Sequence, residues 1–211
     1  LMPETKDPVD HLAAELLENI LLENSASPLK KILESTKLGR APSSILGLGT
    51  SNKQMFFIAG LEGVDAGKEK EVEALILDVF HDLVKQGIPK NQIESALHQI
   101  ELSQRIIGGR LPYGLNLLLG VMPHVLDDAD ALDFLDLEVA LEKLKARLSE
   151  DKFLEDLLTD LFIKNNHRIT FQLIPDIGLD DEKEKLEFNH SIEAVKKLWE
   201  AASSIDPNLK N

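Results

Sequence analysis

Between Lys68 and Phe162, apolar residues recur at spacings of three and four with few interruptions. This spacing places them on one face of successive helices. Gly87 and Pro89 separate the first two helices, and Gly108-Gly109-Arg110 breaks the chain again. The stripes are Val72, Leu75, Ile76, Val79, Phe80, Leu83 and Val84; Ile93, Leu97, Ile100 and Ile107; Leu115, Leu118, Leu119, Met122 and Leu126; Leu137, Leu141, Leu144 and Leu148; and Phe153, Leu154, Leu157, Leu158, Leu161 and Phe162. We therefore expect several helices that pack through these apolar faces.

Two further helices are predicted before this region. The first begins at Asp7-Pro8, where Asp serves as N-cap and Pro fits the first turn, and it ends at Asn24. The second begins at Ser27-Pro28 for the same reason and ends before Gly39. Both carry apolar residues at helical spacing, so both are expected to contribute to the core.

Three segments have the composition of strands. Residues 44–49 and 54–61 flank a polar connection that suits a hairpin. Residues 168–175 alternate between apolar and polar side chains, which predicts a half-buried strand. Because strands and helices do not alternate regularly, the predicted fold class is α+β, with helices packed on a mostly antiparallel sheet. Three strands are few for so many helices, so we expect the sheet to lack its N-terminal strands.

The C-terminal part follows a different pattern. A charged stretch at 180–185 leads into a narrow helical stripe of Phe188, Ile192, Val195 and Trp199. This pattern is typical of a linker or docking helix rather than of a core helix.

Charge and composition exclude several classes of function. The 211 residues include 23 Lys and Arg against 37 Asp and Glu, a formal net charge of −14. This argues against binding to nucleic acid or to an anionic membrane, both of which require a basic surface. The absence of cysteine excludes a disulfide scaffold, a thiolate metal site and a cysteine nucleophile. No apolar run approaches the roughly 20 residues of a membrane-spanning helix.

The acidic residues concentrate in one region. Residues 127–160 hold 12 acidic and 4 basic side chains, a balance of −8. The run from Asp127 to Asp136 lacks the glycine and terminal glutamate of a calcium loop. It is either a solvated helix face or a field that attracts basic peptides.

Catalytic motifs are incomplete. His98 with Glu101, and His190 with Glu193, each give His-x-x-Glu, but no second histidine follows, so the inverted zinc motif H-x-x-E-H is not formed. The Gly108-Gly109-Arg110 segment lacks the Gly-Lys-Ser/Thr ending of a phosphate loop, and no Gly-x-Ser-x-Gly is present. Tyr113, the one tyrosine, is interpreted as a packing or turn residue. We therefore predict no catalytic and no metal-binding residue in this chain, and its substrate-binding residues stay unknown.

Several stretches resemble the pitrilysin/insulinase superfamily of zinc metallopeptidases, and more closely its presequence protease branch, which includes the peptidasomes and falcilysin. They occur in order over residues 1–200, at 27–39 (SPLKKILESTKLG), 57–64 (FIAGLEGV), 93–103 (IESALHQIELS), 111–118 (LPYGLNLL) and 165–176 (NNHRITFQLIPD). The resemblance covers the scaffold and not the active-site motif.

The resemblance implies four related α+β domains around a peptide chamber, joined as two halves by a helical hairpin. Residues 1–176 resemble the C-terminal portion of the second, non-catalytic domain, and residues 177–211 the start of the linker hairpin. Zinc would be bound by a part of the enzyme outside this chain, and this chain itself would bind no zinc. The family's substrate-contacting Arg and Tyr belong to the fourth domain, so Tyr113 does not replace them.

We thus expect this chain to be a non-catalytic portion of a zinc metalloendopeptidase that degrades short to medium peptides such as presequences. This portion would form the chamber wall and the hinge side of the enzyme. The expected partners are peptide substrates and the remaining domains of the same polypeptide, without nucleic acid or membrane. An inactive scaffold subunit of the same superfamily is the alternative, and an unrelated α+β adaptor is a third. The expected location is a bacterial-type cytoplasm, or else the mitochondrial or plastid matrix.

Overall fold

The computed structural model describes residues 2–4, 6–105, 112–176 and 178–205. The chain divides into two compact units, residues 1–170 and residues 171–211. The elements are α1 (Pro8–Leu22), α2 (Pro28–Ser35), β1 (Ala41–Pro42), β2 (Gly47–Gly49), β3 (Phe56–Ile58), β4 (Leu61–Glu62), α3 (Glu69–Gln86), α4 (Lys90–Arg105), α5 (Tyr113–Leu126), α6 (Ala131–Leu135), α7 (Leu137–Leu148), α8 (Phe153–Leu158) and α9 (Leu179–Ile205). A π-helical turn, Thr159–Ile163, continues α8. The α+β class predicted from the sequence is confirmed.

Helix α1 forms the centre of the first unit. It packs against α2, α4, α7 and β2. Its start is the predicted one, because the Asp7 carboxylate accepts hydrogen bonds from the amides of Val9 and Asp10. The side chains of Leu12, Leu16, Leu17 and Leu21 are almost completely buried. Burial of each such leucine contributes about 1.5–3 kcal/mol, so α1 organises the core.

The strands form two small antiparallel sheets. Strand β2 pairs with β3, with Leu48 opposite Phe57, and this confirms the predicted hairpin. Strand β1 pairs with β4, through Ala41 opposite Glu62. The sequence pattern did not indicate β1, because two residues that include a proline give no alternation. A bridge between Glu4 and Gln54 extends the pairing of the segment before β3.

One carboxylate ties the hairpin to α1. The Glu18 Oε1 atom accepts a hydrogen bond from the backbone amide of Leu48, at 2.8 Å. Burial raises the pKa of this carboxyl group, while the hydrogen bond from Leu48 opposes the rise. Because Glu18 lies beside β2, the sheet is held against the most buried helix of the unit.

The expected strand at residues 168–175 is not formed. Residues 165–176 have no regular secondary structure, and Ile169, Phe171 and Leu173 are 80–89% exposed. Alternation shows which residues would share a face, but a strand also requires a neighbour that pairs with its backbone amides and carbonyls. The predicted break at Gly108-Gly109-Arg110 and the residue Ile107 lie outside the described residues.

The second unit consists mainly of α9. Gly178 donates its amide to Asp176 just before this helix begins. The side chains of Leu186, Phe188, Val195 and Trp199 are more than half exposed. That this helix serves as a docking or linker helix stays a prediction. Among the described residues, no helix combines the length and apolar character that crossing a membrane requires.

Candidate functional site

Helix α5 presents an apolar surface to solvent. We define the apolar stripe as Leu115, Leu118, Leu119, Met122, Val125 and Leu126, whose exposures range from 41% to 76%. At 100° per residue, all six lie within about 80° of the direction opposite His124. His124 is the buried residue of this helix, at 5% exposure. The usual arrangement of a surface helix, apolar inward and polar outward, is therefore reversed.

This orientation corrects the expectation that the stripe of α5 packs into the core. Helical periodicity showed that these side chains share one face, and the structure confirms that they do. On the opposite side of the helix, the ring of His124 contacts His11 and Phe134. The stripes of α7 and α8, by contrast, are buried as expected, with Leu144 and Leu158 completely enclosed.

An aromatic cluster joins α5 to α1 and α6. The ring of His124 stacks on Phe134, with centroids 3.8 Å apart and planes at 9°. It also meets the ring of His11 edge-on, at 5.0 Å. Nothing in the sequence signalled this contact, because the three residues lie on separate elements and match no motif.

The cluster changes the acidity of His11. Burial, and secondarily the neighbouring His124, lowers the pKa of His11 from 6.5 to about 4. Its Nδ1 atom is buried and has no hydrogen-bond partner among the described residues. His11 is therefore neutral near pH 7, so it brings no positive charge to the contact between α1 and α5.

Three aspartates surround the C-terminal end of the stripe. We define the acidic turn as Asp127, Asp128 and Asp130. The amide of Ala129 donates to the carbonyl of His124, which closes the turn. Asp128 adopts a positive φ of 65°, and Asp130 caps α6 by accepting from the amide of Leu132. Within the described part of the chain, no salt bridge involves these three carboxylates.

The other acidic residues of the run differ from the acidic turn. Asp133 and Asp136 line a shallow pocket of about 400 Å³ that also contains Lys143 and Arg147. These two carboxylates share the pocket with both cations, although Arg147 forms its salt bridge with Asp10. The acidic turn is distinguished by its place, since it directly follows the C-terminal end of the apolar stripe.

The residues singled out by the sequence do not converge on a catalytic centre. His98 pairs with Glu101 at 3.5 Å, and Glu101 also binds Lys145, which is an ordinary surface network. Glu193 and His190 lie on α9, where both are exposed. Tyr113 begins α5 and is 48% exposed. No group of three His, Cys, Asp or Glu among the described residues is arranged to hold a metal ion, so these residues do not fit the zinc of the resembled family.

Comparisons with known proteins agree with one another. Residues 1–100 match the family model described as the peptidase M16 inactive domain. Protein HypA of Clostridium perfringens is 34% identical over 95% of this chain and 20% of its own length. Presequence protease 1, chloroplastic/mitochondrial, of Arabidopsis thaliana is 33% identical over 88% of this chain and 17% of its length. The mitochondrial presequence protease of Xenopus laevis is 26% identical over 95% of this chain and 19% of its own length.

The fold and these matches define the class of the molecule: an α+β chain related to peptidases, which over residues 1–100 matches a domain described as inactive. More specifically, the chain belongs to the M16 family, the pitrilysin/insulinase superfamily, and to its presequence protease branch. The chain spans about a fifth of the length of the curated relatives that it matches.

Proposed function

We propose that this chain forms part of the chamber wall and the hinge side of a zinc metalloendopeptidase. The whole enzyme would degrade short to medium peptides, including presequences. The observation that carries the proposal is the match to presequence protease 1 over 88% of the chain at 33% identity. The description of the matching family model as an inactive domain supports a non-catalytic role. The whole enzyme would hydrolyse peptides, and this part would enclose them.

The proposed boundaries follow the same comparison. Residues 1–176 would form the C-terminal portion of the second domain, and residues 177–211 would begin the helical linker. The first assignment is supported by the family match over residues 1–100. The second is supported by α9, which is a single long helix with exposed apolar side chains.

Zinc would be held by another domain of such an enzyme, because the described residues of this chain provide no fitting group of ligands. When bound, zinc activates water for attack on a peptide bond. The proposed contribution of this chain is to limit access, since a closed chamber admits substrates by size. Its partners would be peptide substrates and the remaining domains of the same polypeptide.

The compartment stays a prediction. The relatives include a bacterial protein and proteins named as mitochondrial or chloroplastic. A bacterial-type cytoplasm and an organelle matrix both fit these names.

The test begins from the open reading frame that contains this chain. We expect it to encode H-x-x-E-H outside residues 1–211, and we expect the expressed protein to cleave an unstructured basic peptide. A zinc chelator should abolish cleavage, and added zinc should restore it. The matched control is the 211-residue chain alone, which we expect to cleave nothing and to contain no stoichiometric zinc by elemental analysis.

Two results would contradict the proposal. A reading frame with a degenerate motif and no peptidase activity would support the scaffold alternative. Chelator-sensitive cleavage by the 211-residue chain alone would assign the chemistry to residues of this chain.

A further inference from the structure

We draw no further inference here: the strongest candidate, the aromatic cluster of His11, His124 and Phe134 where α5 meets α1 and α6, carries nothing as a pH-sensitive latch because its response to acid rests only on the lowered pKa of His11.

Discussion

The imidazole of His124 lies edge-on against that of His11, with ring centroids 5.0 Å apart. Through this pair, α5 is attached to the central helix of the unit. The attachment depends on both rings being accommodated in a largely apolar environment, which disfavours a positive charge on His11. The pair therefore links the docking of α5 to pH.

The first prediction is that stability falls as the solution is acidified from pH 6.5 towards pH 4. Burial holds the pKa of His11 at about 4 in the folded chain, against 6.5 for an unperturbed histidine. In this interval the unfolded state binds the proton and the folded state does not, so the free energy of unfolding decreases as pH falls. The loss attributable to His11 should reach roughly 3 kcal/mol at most. Urea unfolding at a series of pH values measures it.

The control for this prediction is His11→Leu, compared with His98→Gln on the exposed side of α4. Glu15, one turn along α1, has a pKa raised by burial and by Glu18, and it contributes a slope of opposite sign that is present in every variant. The slope due to His11 is the difference between wild type and His11→Leu. An identical pH dependence in these two proteins would contradict the assignment.

A second prediction concerns the bond between Glu18 and the amide of Leu48. Glu18→Ala leaves this partly buried amide without an acceptor, so we expect a loss of about 1–3 kcal/mol. Glu18→Gln keeps an acceptor oxygen and removes a carboxylate whose charged form is disfavoured by burial, so its loss should be smaller. Hydrogen exchange at Leu48 should accelerate in the alanine variant alone. Comparable losses for both variants would show that the charge, and not the acceptor, is what matters.

The third prediction concerns Gly49 in β2. A Cβ atom at this position would lie far inside van der Waals contact of the Phe56 ring, which covers the glycine from the paired strand. Gly49→Ala should therefore displace Phe56 and cost about 1–3 kcal/mol. Gly60→Ala is the matched control, because its nearest neighbour would be the Ser43 Cβ atom at 3.9 Å. Thermal unfolding compares the two, and a stable Gly49→Ala variant would contradict the prediction.

Short sequence patterns were sufficient to predict those helices and strands whose boundaries depend only on neighbouring residues. Asp7 followed by Pro8 marked the start of α1, since capping involves only neighbouring residues. The polar connection at residues 50–53 marked the β2–β3 hairpin, which pairs as expected. These features need no information about distant parts of the chain.

Features that depend on distant contacts were not predictable in the same way. Ile169 and Phe171 alternate like a strand, yet residues 165–176 contain none, because pairing is decided by a neighbour and not by the segment. The periodicity of α5 gave the stripe but not its direction. On the inward side of α5, His124 contacts His11 and Phe134, and these contacts join separate elements that no local pattern could relate.

The last prediction separates the exposed stripe of α5 from the buried stripe of α7. Leu118 and Leu126 are 61% and 76% exposed, whereas Leu144 is 0% exposed. Leu118→Gln with Leu126→Gln should change the free energy of unfolding by less than about 1 kcal/mol, while Leu144→Ala should cost about 2–5 kcal/mol. Binding of a dye specific for apolar surface should decrease in the double variant, because the stripe is accessible in the folded chain. A large loss of stability in the double variant would show instead that the stripe is packed within the chain, and the outward orientation of α5 would be wrong.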